Sequence, residues 1–380
     1  MRTALRVTVV APELDPRAAM WGDPAGGWQP AVTAWVGRLA ALGVPYDVAG
    51  QLDGGTAGLV IDPSGGAEPG SDRVLVGPPP DSAEATLQVL AAALGAVVVP
   101  DLRTTLVLRM DDPGAAVKEH LRGWAHERVT AEVWAALWSA LDGFGRVSVF
   151  CCPGYVQDDG SVVDSRAVLP DEWSHLDDGT TRGLAELECH GFTHMHPDTA
   201  AWAAAPDRYD DVRWFRELWP PHLEAEPSVA AQAGRLRSWQ AAVGSTGTSL
   251  VAPGEEWGLN TLAAAKQSGF RLFNSWGVCF LDRQVPTWTT GIGSPYLDEA
   301  DPSWFADCLP QIGYWHDRDM AVHGPGWVGA QLDRWRDSGA TRAISFAQLA
   351  AAYAPIDAAL VDGEVVVSAA PDVPLRVVRP

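Results

Sequence analysis

A repeated alternation of short apolar runs with amphipathic helical patterns is the feature that most constrains the fold of this chain. Helical patterns such as AAQAGRLRSWQAAVG, LNTLAAAKQSG and WVGAQLDRWRDSG separate the apolar runs. Seven strand candidates are centred near residues 105, 148, 187, 250, 272, 313 and 344. Such alternation is typical of a parallel sheet flanked by helices. We therefore predict a distorted parallel (β/α)7-type barrel over residues 101–354, with chemistry at the carboxyl ends of its strands.

The residues on either side of this region predict two smaller units. Residues 1–100 carry the strand patterns LRVTVVAP, GLVID and RVLVG and the helix patterns PAVTAWVGRLAALG and SAEATLQVLAAALG, with Ser82 as an N-cap. They predict a small N-terminal α/β domain of flavodoxin-like type. In residues 355–380, GEVVVS and LRVVRP predict a short C-terminal β appendage. The long stretch 196–245, rich in Trp, Pro and charge, is interpreted as a packed surface excursion or as a substrate wall.

Composition excludes several classes of partner. The formal net charge of -21 and the pI near 4.7 argue against nucleic acid and against an anionic membrane, since both require a basic surface. No apolar segment reaches the ~18 residues expected of a membrane helix, and the first residues resemble a β-strand more than a secretory signal. The five irregularly spaced cysteines predict reduced thiols. We expect a cytoplasmic protein whose partner is a small-molecule or glycan substrate.

Two acidic and three imidazole side chains follow the predicted strands. Asp111 and Asp112 end TTLVLRMDD, His190 and His194 lie in HGFTHMH after another strand, and His316 ends QIGYWH. One carboxylate and two imidazoles can hold a divalent metal and leave coordination positions open. A second, adjacent carboxylate is then free to act as a base. Each pair alone is a weak signal, and their conjunction is much more specific.

The order of these motifs resembles the polysaccharide deacetylase family, the NodB-homology or family 4 carbohydrate esterases, in a divergent form. The resemblance covers roughly residues 104–352 and also includes VAPGEEW, TLAAAKQSGF and ISFAQLAAAY. It implies Asp111 as the catalytic base, Asp112, His190 and His194 as metal ligands, and His316 as the general acid. Gly191 stands within HGFTH where the family has Ser or Thr.

Several positions depart from the family pattern. Val251 occupies the position of the Arg that orients the catalytic Asp, and Arg109 is a candidate to replace it from another direction. FNSW offers Asn274 and Trp276 where the family has Asp and Trp, and Gln311 stands where the family favours Leu. These departures leave the expected metal site intact, and they leave the substrate open.

Other residues are expected to support the ligands or to contact substrate. His196 could replace one ligand, orient a ligand imidazole or bind substrate. The orienting role is ranked first, with Asp198 or Asp317 as a partner. Trp257 and Trp276 are candidates for substrate contact, although a core position is expected for most of the 18 tryptophans. Four further histidines are predicted at the surface: His120, His126, His175 and His222.

The expected chemistry is hydrolysis of an N-acyl group, most simply N-acetyl, from an amino sugar or a sugar-containing metabolite. The expected metal is zinc, with cobalt, nickel or iron as alternatives. Two other functions remain open at this point. Two histidines and one carboxylate also form the facial triad of non-haem iron oxygenases. The tryptophan content and the missing Arg would also suit a carbohydrate-binding protein that has lost catalysis.

Overall fold

The computed structural model describes residues 2–11, 30–49, 59–63, 74–220, 225–283, 286–289, 291–305 and 309–380. His222 and Cys308 lie outside these ranges. The chain forms a mixed α/β structure in which a large, mainly parallel sheet carries the predicted site. Within the described ranges, no helix has the length and apolar character needed to cross a membrane. The other four cysteines are free and buried, as the sequence predicts.

The N-terminal region contains a four-stranded parallel sheet. Its strands and helices are β1 (Arg2–Ala4), β2 (Val7–Val10), α1 (Pro30–Leu42), β3 (Tyr46–Ala49), β4 (Leu59–Asp62), β5 (Val74–Val76), α2 (Ala83–Leu94) and β6 (Val97–Pro100). The sheet has the order β3-β2-β4-β5. The Ser82 hydroxyl accepts the N–H of Ala85 at 3.1 Å and caps α2, which confirms the predicted N-cap. The sequence did not predict β3 or β6.

The large sheet contains all seven predicted strands. They are β7 (Thr105–Asp111), β8 (Val147–Cys151), β11 (Ala185–Cys189), β12 (Ser249–Val251), β13 (Leu272–Asn274), β16 (Gln311–His316) and β17 (Arg342–Ile344). All pairings among these seven strands are parallel. A second small sheet joins β9 (Gly154–Val156) to β10 (Val162–Asp164). The carboxyl ends of the seven strands therefore share one edge, as parallel pairing requires.

An antiparallel hairpin extends this sheet beyond the prediction. Strands β14 (Val278–Phe280) and β15 (Thr287–Thr289) continue from β13, and the hydrogen-bonded order runs from β15 to β16. Next to β16, the N–H groups of Ile312 and Tyr314 donate to the carbonyls of Gly293 and Pro295. The chain after β15 thus lies along the other edge of the sheet. A closed seven-stranded barrel stays a prediction.

Helices separate the strands along the chain and pack against the sheet. They are α3 (Val117–His120), α4 (Ala131–Leu141), α5 (Ser165–Val168), α6 (Pro170–Thr181), α7 (Thr199–Ala204), α8 (Val229–Val243), α9 (Leu259–Gln267), α10 (Asp317–His323), α11 (Trp327–Asp337) and α12 (Phe346–Ala352). Trp134, Trp138, Trp173, Trp239 and Trp335 on these helices are at most 2 % exposed and pack against Leu and Val side chains of the strands. The core position expected of most tryptophans is confirmed for these five.

The C-terminal strands pair with the N-terminal region. They are β18 (Asp357–Val361), β19 (Glu364–Ala369) and β20 (Leu375–Val378). Strand β18 lies between β1 and β19, and β20 pairs with β6, in each case antiparallel. The predicted β-structure of the tail is present, and it is joined to the first hundred residues by backbone hydrogen bonds. The division of the chain into three domains stays a prediction.

Candidate metal centre

The Asp pair lies where β7 turns away from the sheet. Asp111 is the last residue of β7, and Asp112 follows it with a φ of 80° while its N–H donates to the Phe150 carbonyl. A left-handed residue directly after the strand turns the two carboxylates into different surroundings. The turn continues through Gly114. This residue has to be glycine because a Cβ there would lie 2.4 Å from the Cys152 carbonyl oxygen. The local backbone thus separates two adjacent acids.

The two histidines of HGFTH lie in a compact loop after β11. Gly191 has a φ of 76°, and a Cβ at this position would lie 2.4 Å from a Glu217 carboxylate oxygen. That same oxygen accepts the N–H groups of Thr193 at 2.9 Å and His194 at 3.0 Å, and Glu217 is fully buried. The Glu217 carboxylate therefore fixes this loop by hydrogen bonds. Because it leaves no room for a Cβ at Gly191, that position requires glycine.

Asp112, His190 and His194 converge on one point. The Asp112 Oδ1 lies 3.3 Å from the His190 Nε2 and 3.4 Å from the His194 Nε2, and one ligand atom from each of the three residues lies within 4.8 Å of the others. The side chains are 3–7 % exposed. The second ring nitrogen of His190 and the second carboxylate oxygen of Asp112 have partners of their own. His190 Nδ1 lies 3.1 Å from the Val251 carbonyl, and Trp124 Nε1 donates to Asp112 Oδ2 at 3.1 Å.

The protonation states suit a cation. Burial raises the pKa of Asp112, but the neighbouring His190, His194 and His316 outweigh it and hold the pKa well below its usual range. Burial lowers the pKa of His194 to about 3, which leaves a neutral imidazole. Burial also lowers the pKa of His190, but the Asp111 and Asp112 carboxylates outweigh it and raise the pKa, so a bound cation would have to displace a proton from this ring. A carboxylate and two imidazoles facing one point are a donor set that zinc prefers. The three residues therefore fit a divalent metal.

Two of these three residues have backbone in the left-handed region. The φ angle is 80° at Asp112 and 61° at His194. Such a conformation costs about 1–3 kcal/mol at a residue other than glycine and concentrates at functional sites. At both positions the strained residue is one whose side chain would bind the metal.

Arg109 holds Asp111 in place. It is 2 % exposed, and its Nε donates to the Asp111 Oδ1 at 2.9 Å and Oδ2 at 3.0 Å. Its Nη1 donates to Asn274 Oδ1 at 2.8 Å, and its Nη2 donates to Glu255 Oε1 at 3.0 Å. The orienting arginine thus comes from the strand that carries Asp111, not from the position of Val251. Asn274, the substitute in FNSW, takes part in the same network.

His316 faces the cavity from the end of β16. Its main-chain N–H donates to Asp319 Oδ2 at 2.8 Å, and its Nδ1 lies 3.5 Å from the same oxygen. Burial lowers the pKa of His316, but the Asp319 carboxylate, followed by Asp112 and Asp111, outweighs burial and raises the pKa to about 9. The Trp124 ring meets the His316 ring edge to face at 4.9 Å. His316 is therefore a cation at neutral pH.

The remaining candidates divide between two cavities. A cavity of about 320 Å³ is lined by Asp111, Asp112, His190, His194, His316, Arg109, Glu255, Arg216, Val212 and several aromatic residues, with Trp276 among them at 68 % exposure. His196 and Asp198 line a neighbouring cavity of about 530 Å³ instead. The backbone N–H of Asp198 donates to His196 Nδ1 at 2.9 Å, whereas the Asp198 carboxylate accepts the N–H of Ala201 and caps α7.

Three sequence expectations are corrected by these positions. Asp317 does not pair with His196; it accepts a hydrogen bond from the buried Lys118 at 2.5 Å. Trp257 packs against Phe273 and Trp288 rather than lining the 320 Å³ cavity. His120 and His126 were predicted at the surface but are buried: His120 is 7 % exposed with its Nε2 2.8 Å from the Val156 carbonyl, and the His126 side chain is 3 % exposed.

Trp124, Glu217, Asp319 and Arg216 are the site residues that sequence reasoning missed. Asp319 carried a specific signal, because it lies three residues after His316 at the start of a helix, where a carboxylate reaches back to the N-cap. Arg216 and Glu217 lie in the stretch 196–245 that the sequence offered as a substrate wall, and Trp124 lies in a loop 12 residues after Asp112.

Several solved structures resemble this chain. One is a family 4 carbohydrate esterase from Streptomyces lividans in complex with acetate, at 13 % identity over 62 % of this chain and 86 % of that one, with a TM-score of 0.31. Another is a pseudoenzyme of the same family from Bacillus anthracis, at 9 % identity over 66 % of either chain, with a TM-score of 0.35. A chitin deacetylase from Colletotrichum lindemuthianum has 10 % identity over 65 % of this chain and 87 % of that one, with a TM-score of 0.33. No protein-family model matches the chain, and no curated protein matches it.

Proposed function

We propose that this protein is a metal-dependent hydrolase that removes an N-acyl group, with N-acetyl as the first candidate, from an amino sugar or a sugar-containing metabolite. One observation carries the proposal. A single cavity brings together a carboxylate and two imidazoles that fit a metal, a second carboxylate fixed by Arg109, and a cationic histidine. These are the groups that amide hydrolysis requires: a metal-binding set, a base and an acid.

Each group has a distinct part in the proposed reaction. When bound by Asp112, His190 and His194, a divalent metal polarises the acyl carbonyl and makes water more acidic. An Asp111 carboxylate oxygen accepts the proton of the attacking water, while Arg109 keeps that carboxylate oriented. His316 directs its Nδ1 towards Asp319 and gives a proton from Nε2 to the departing nitrogen. The acid matters most for an amide, since an amine anion is a poor leaving group.

The cavity mouth supports a sugar as the part that carries the acyl group. Trp276 and Tyr296, 68 % and 39 % exposed, line the same cavity as the ligand set. Exposed aromatic rings beside a polar cleft offer faces on which a sugar ring can stack, because such rings combine an apolar surface with a hydrated edge. The Tyr296 ring is held by Tyr314 at a centroid distance of 4.3 Å.

Release of acetate is the direct test of this function. The protein would be stripped of metal, reloaded separately with Zn²⁺, Co²⁺, Ni²⁺ or Fe²⁺, and incubated with N-acetyl hexosamines and short N-acetyl glycans. We expect acetate and free amine in equal amounts, and only in the presence of metal. Turnover that consumes oxygen with Fe²⁺ would instead assign the iron oxygenase, and saturable glycan binding without acetate release would assign a binding protein.

The Asp111→Asn variant tests the base. We expect it to retain the metal, because Asp111 is not in the cluster of Asp112, His190 and His194, and to lose about 10²–10⁴-fold in kcat, the usual contribution of a general base. The measurements are metal content and acetate release. A variant that hydrolyses at the wild-type rate would remove Asp111 from the mechanism.

The pH profile tests the acid. A His316 pKa near 9 means that the protonated acid is present below that pH and is lost as pH rises through it. Asp319→Asn removes the carboxylate that raises this pKa, so the alkaline limb of kcat/KM should move down by roughly one pH unit or more. Asp333→Asn, which disrupts an exposed ion pair with Arg336, is the matched control and should leave the profile in place. An unmoved limb in Asp319→Asn would exclude the assigned role.

A further inference from the structure

Arg216 brings a second guanidinium to the cavity that holds the ligand set. It follows the 3-10 helix Val212–Phe215, in the stretch that the sequence analysis offered as a substrate wall. Arg109, the first guanidinium of this cavity, donates to Asp111 and Glu255. Among the described residues, Arg216 donates only to the Phe215 carbonyl, at 3.3 Å, and its buried Nε has no hydrogen-bond partner. No described carboxylate lies within ion-pair distance of it.

The backbone fixes the place of this side chain. The flanking Phe215 and Glu217 are fully buried, and Glu217 binds the same loop that carries His194. On the other side the guanidinium lies directly over Gly254, where a Cβ would come within 2.2 Å of its Cζ. Gly254 has a φ of 64°, so both its conformation and the close approach require glycine. Arg216 is therefore held by two loops of the site and is not a freely moving surface residue.

The charge of Arg216 is poorly compensated. Burial lowers the pKa of Arg216, and the more distant Glu256, Asp112 and Glu255 offset this only in part. A guanidinium stays protonated in proteins, so the cation is retained at a desolvation cost. It offers a planar set of N–H donors, and the protein accepts few of them. Such a fork matches the two oxygens of a carboxylate or phosphate.

We propose that the acyl-bearing substrate also carries an oxyanion, a carboxylate or a phosphate, and that Arg216 binds this group. The proposal rests on the hydrolase function proposed above and names its substrate class. Because the formal net charge of the protein is -21, the attraction for an anion has to be local, as it is at a single guanidinium in the cavity. Arg216 acts as a specificity residue and does not take part in the proton transfers.

The first experiment compares N-acetylglucosamine, its phosphate esters and N-acetylhexosamines that carry a carboxylate. Wild-type kcat/KM should be at least about tenfold higher for the anionic compounds, since hydrogen bonds to charged groups contribute about 1.5–3 kcal/mol. Arg216→Gln should lose this preference and keep kcat/KM for the neutral sugar within about threefold. Arg216→Lys should keep part of this preference. Arg182→Gln, which disrupts an exposed ion pair with Asp178 at the end of α6, should keep all of it. The ratio of kcat/KM for the phosphate compounds to kcat/KM for the carboxylate compounds identifies the oxyanion.

A binding measurement separates this proposal from the hydrolase function. Calorimetry with the metal-loaded proteins would compare inorganic phosphate, propionate and hexose phosphates between the wild type and Arg216→Gln. Because the metal is the same in both proteins, a rise of about tenfold or more in Kd for at least one of these anions reports Arg216 itself. Such a rise supports the anion site even if no N-acyl compound is hydrolysed. Equal Kd values throughout, or an equal loss of kcat/KM for neutral and anionic substrates, would overturn the proposal.

Discussion

His190→Ala is expected to bind little or no metal and to lose at least about 10³-fold in acetate release. Only Asp112 and His194 would remain of the three donors, and the loss exceeds that of a single oxyanion donor because the metal would supply both the polarisation and the acidified water. The measurements are metal stoichiometry after dialysis against a weak chelator and the rate with excess Zn²⁺. Asp112→Ala should behave in the same way.

His120→Ala is the matched control for this loss. His120 is also a buried histidine, at 7 % exposure, but its Nε2 faces the Val156 carbonyl and it lies outside the metal cluster. Its substitution should cost stability and leave the metal content unchanged. If His190→Ala and His120→Ala kept the same metal content and the same rate, the cluster would not be a metal site.

Arg109→Met is expected to lower the free energy of unfolding by about 3–5 kcal/mol and to abolish turnover. The side chains of Arg109 and Asp111 are each 2 % exposed, and removing one partner of a buried pair leaves the other charge without compensation. Glu255 and Asn274 would lose a donor as well. Denaturant unfolding followed by circular dichroism measures the first effect, and acetate release measures the second.

Two further variants are controls for Arg109→Met. Arg122→Met disrupts an ion pair with Asp210 whose side chains are 70 % and 56 % exposed, so its cost should stay below about 1 kcal/mol. Arg109→Lys keeps the charge but cannot serve Asp111, Asn274 and Glu255 together, and it should fall between the wild type and Arg109→Met. A stability loss for Arg109→Met no larger than that for Arg122→Met would mean that Asp111 does not depend on this arginine.

The sequence predicts the strands of the large sheet because of how they are buried. A parallel strand covered on both faces, such as β7 or β8, is buried along its whole length and is therefore a mainly apolar run in the sequence. The hairpin of β14 and β15 was missed because no helix separates these strands from β13 or from each other, so the alternation of strand and helix patterns did not indicate them. Antiparallel pairing with β13 and with each other determines their conformation.

The residues of the site also divide into those that a local sequence pattern predicts and those that only the folded chain brings together. Asp111, Asp112, His190, His194 and His316 were predicted because each lies at the end of a strand or in the loop that follows it, and the structure brings them to one cavity. Contacts between residues distant in sequence could not be predicted. Trp124 and Arg216 line the cavity from loops whose course no local pattern specifies, and Glu217 binds the loop that carries His194. The burial of His120 likewise depends on neighbours that come together only in the folded chain.

The pairing of the last strands with the first ones sets an order of events during synthesis. Strand β1 pairs with β18, and β6 pairs with β20. At a translation rate of ~5–20 residues per second, the early strands wait on the order of tens of seconds before these partners leave the ribosome. During that interval β1 and β6 present backbone donors and acceptors that a foreign strand could pair with. A nascent chain stalled before residue 355 should therefore be more prone to aggregation than the finished protein, even though every residue of the candidate site has already been made.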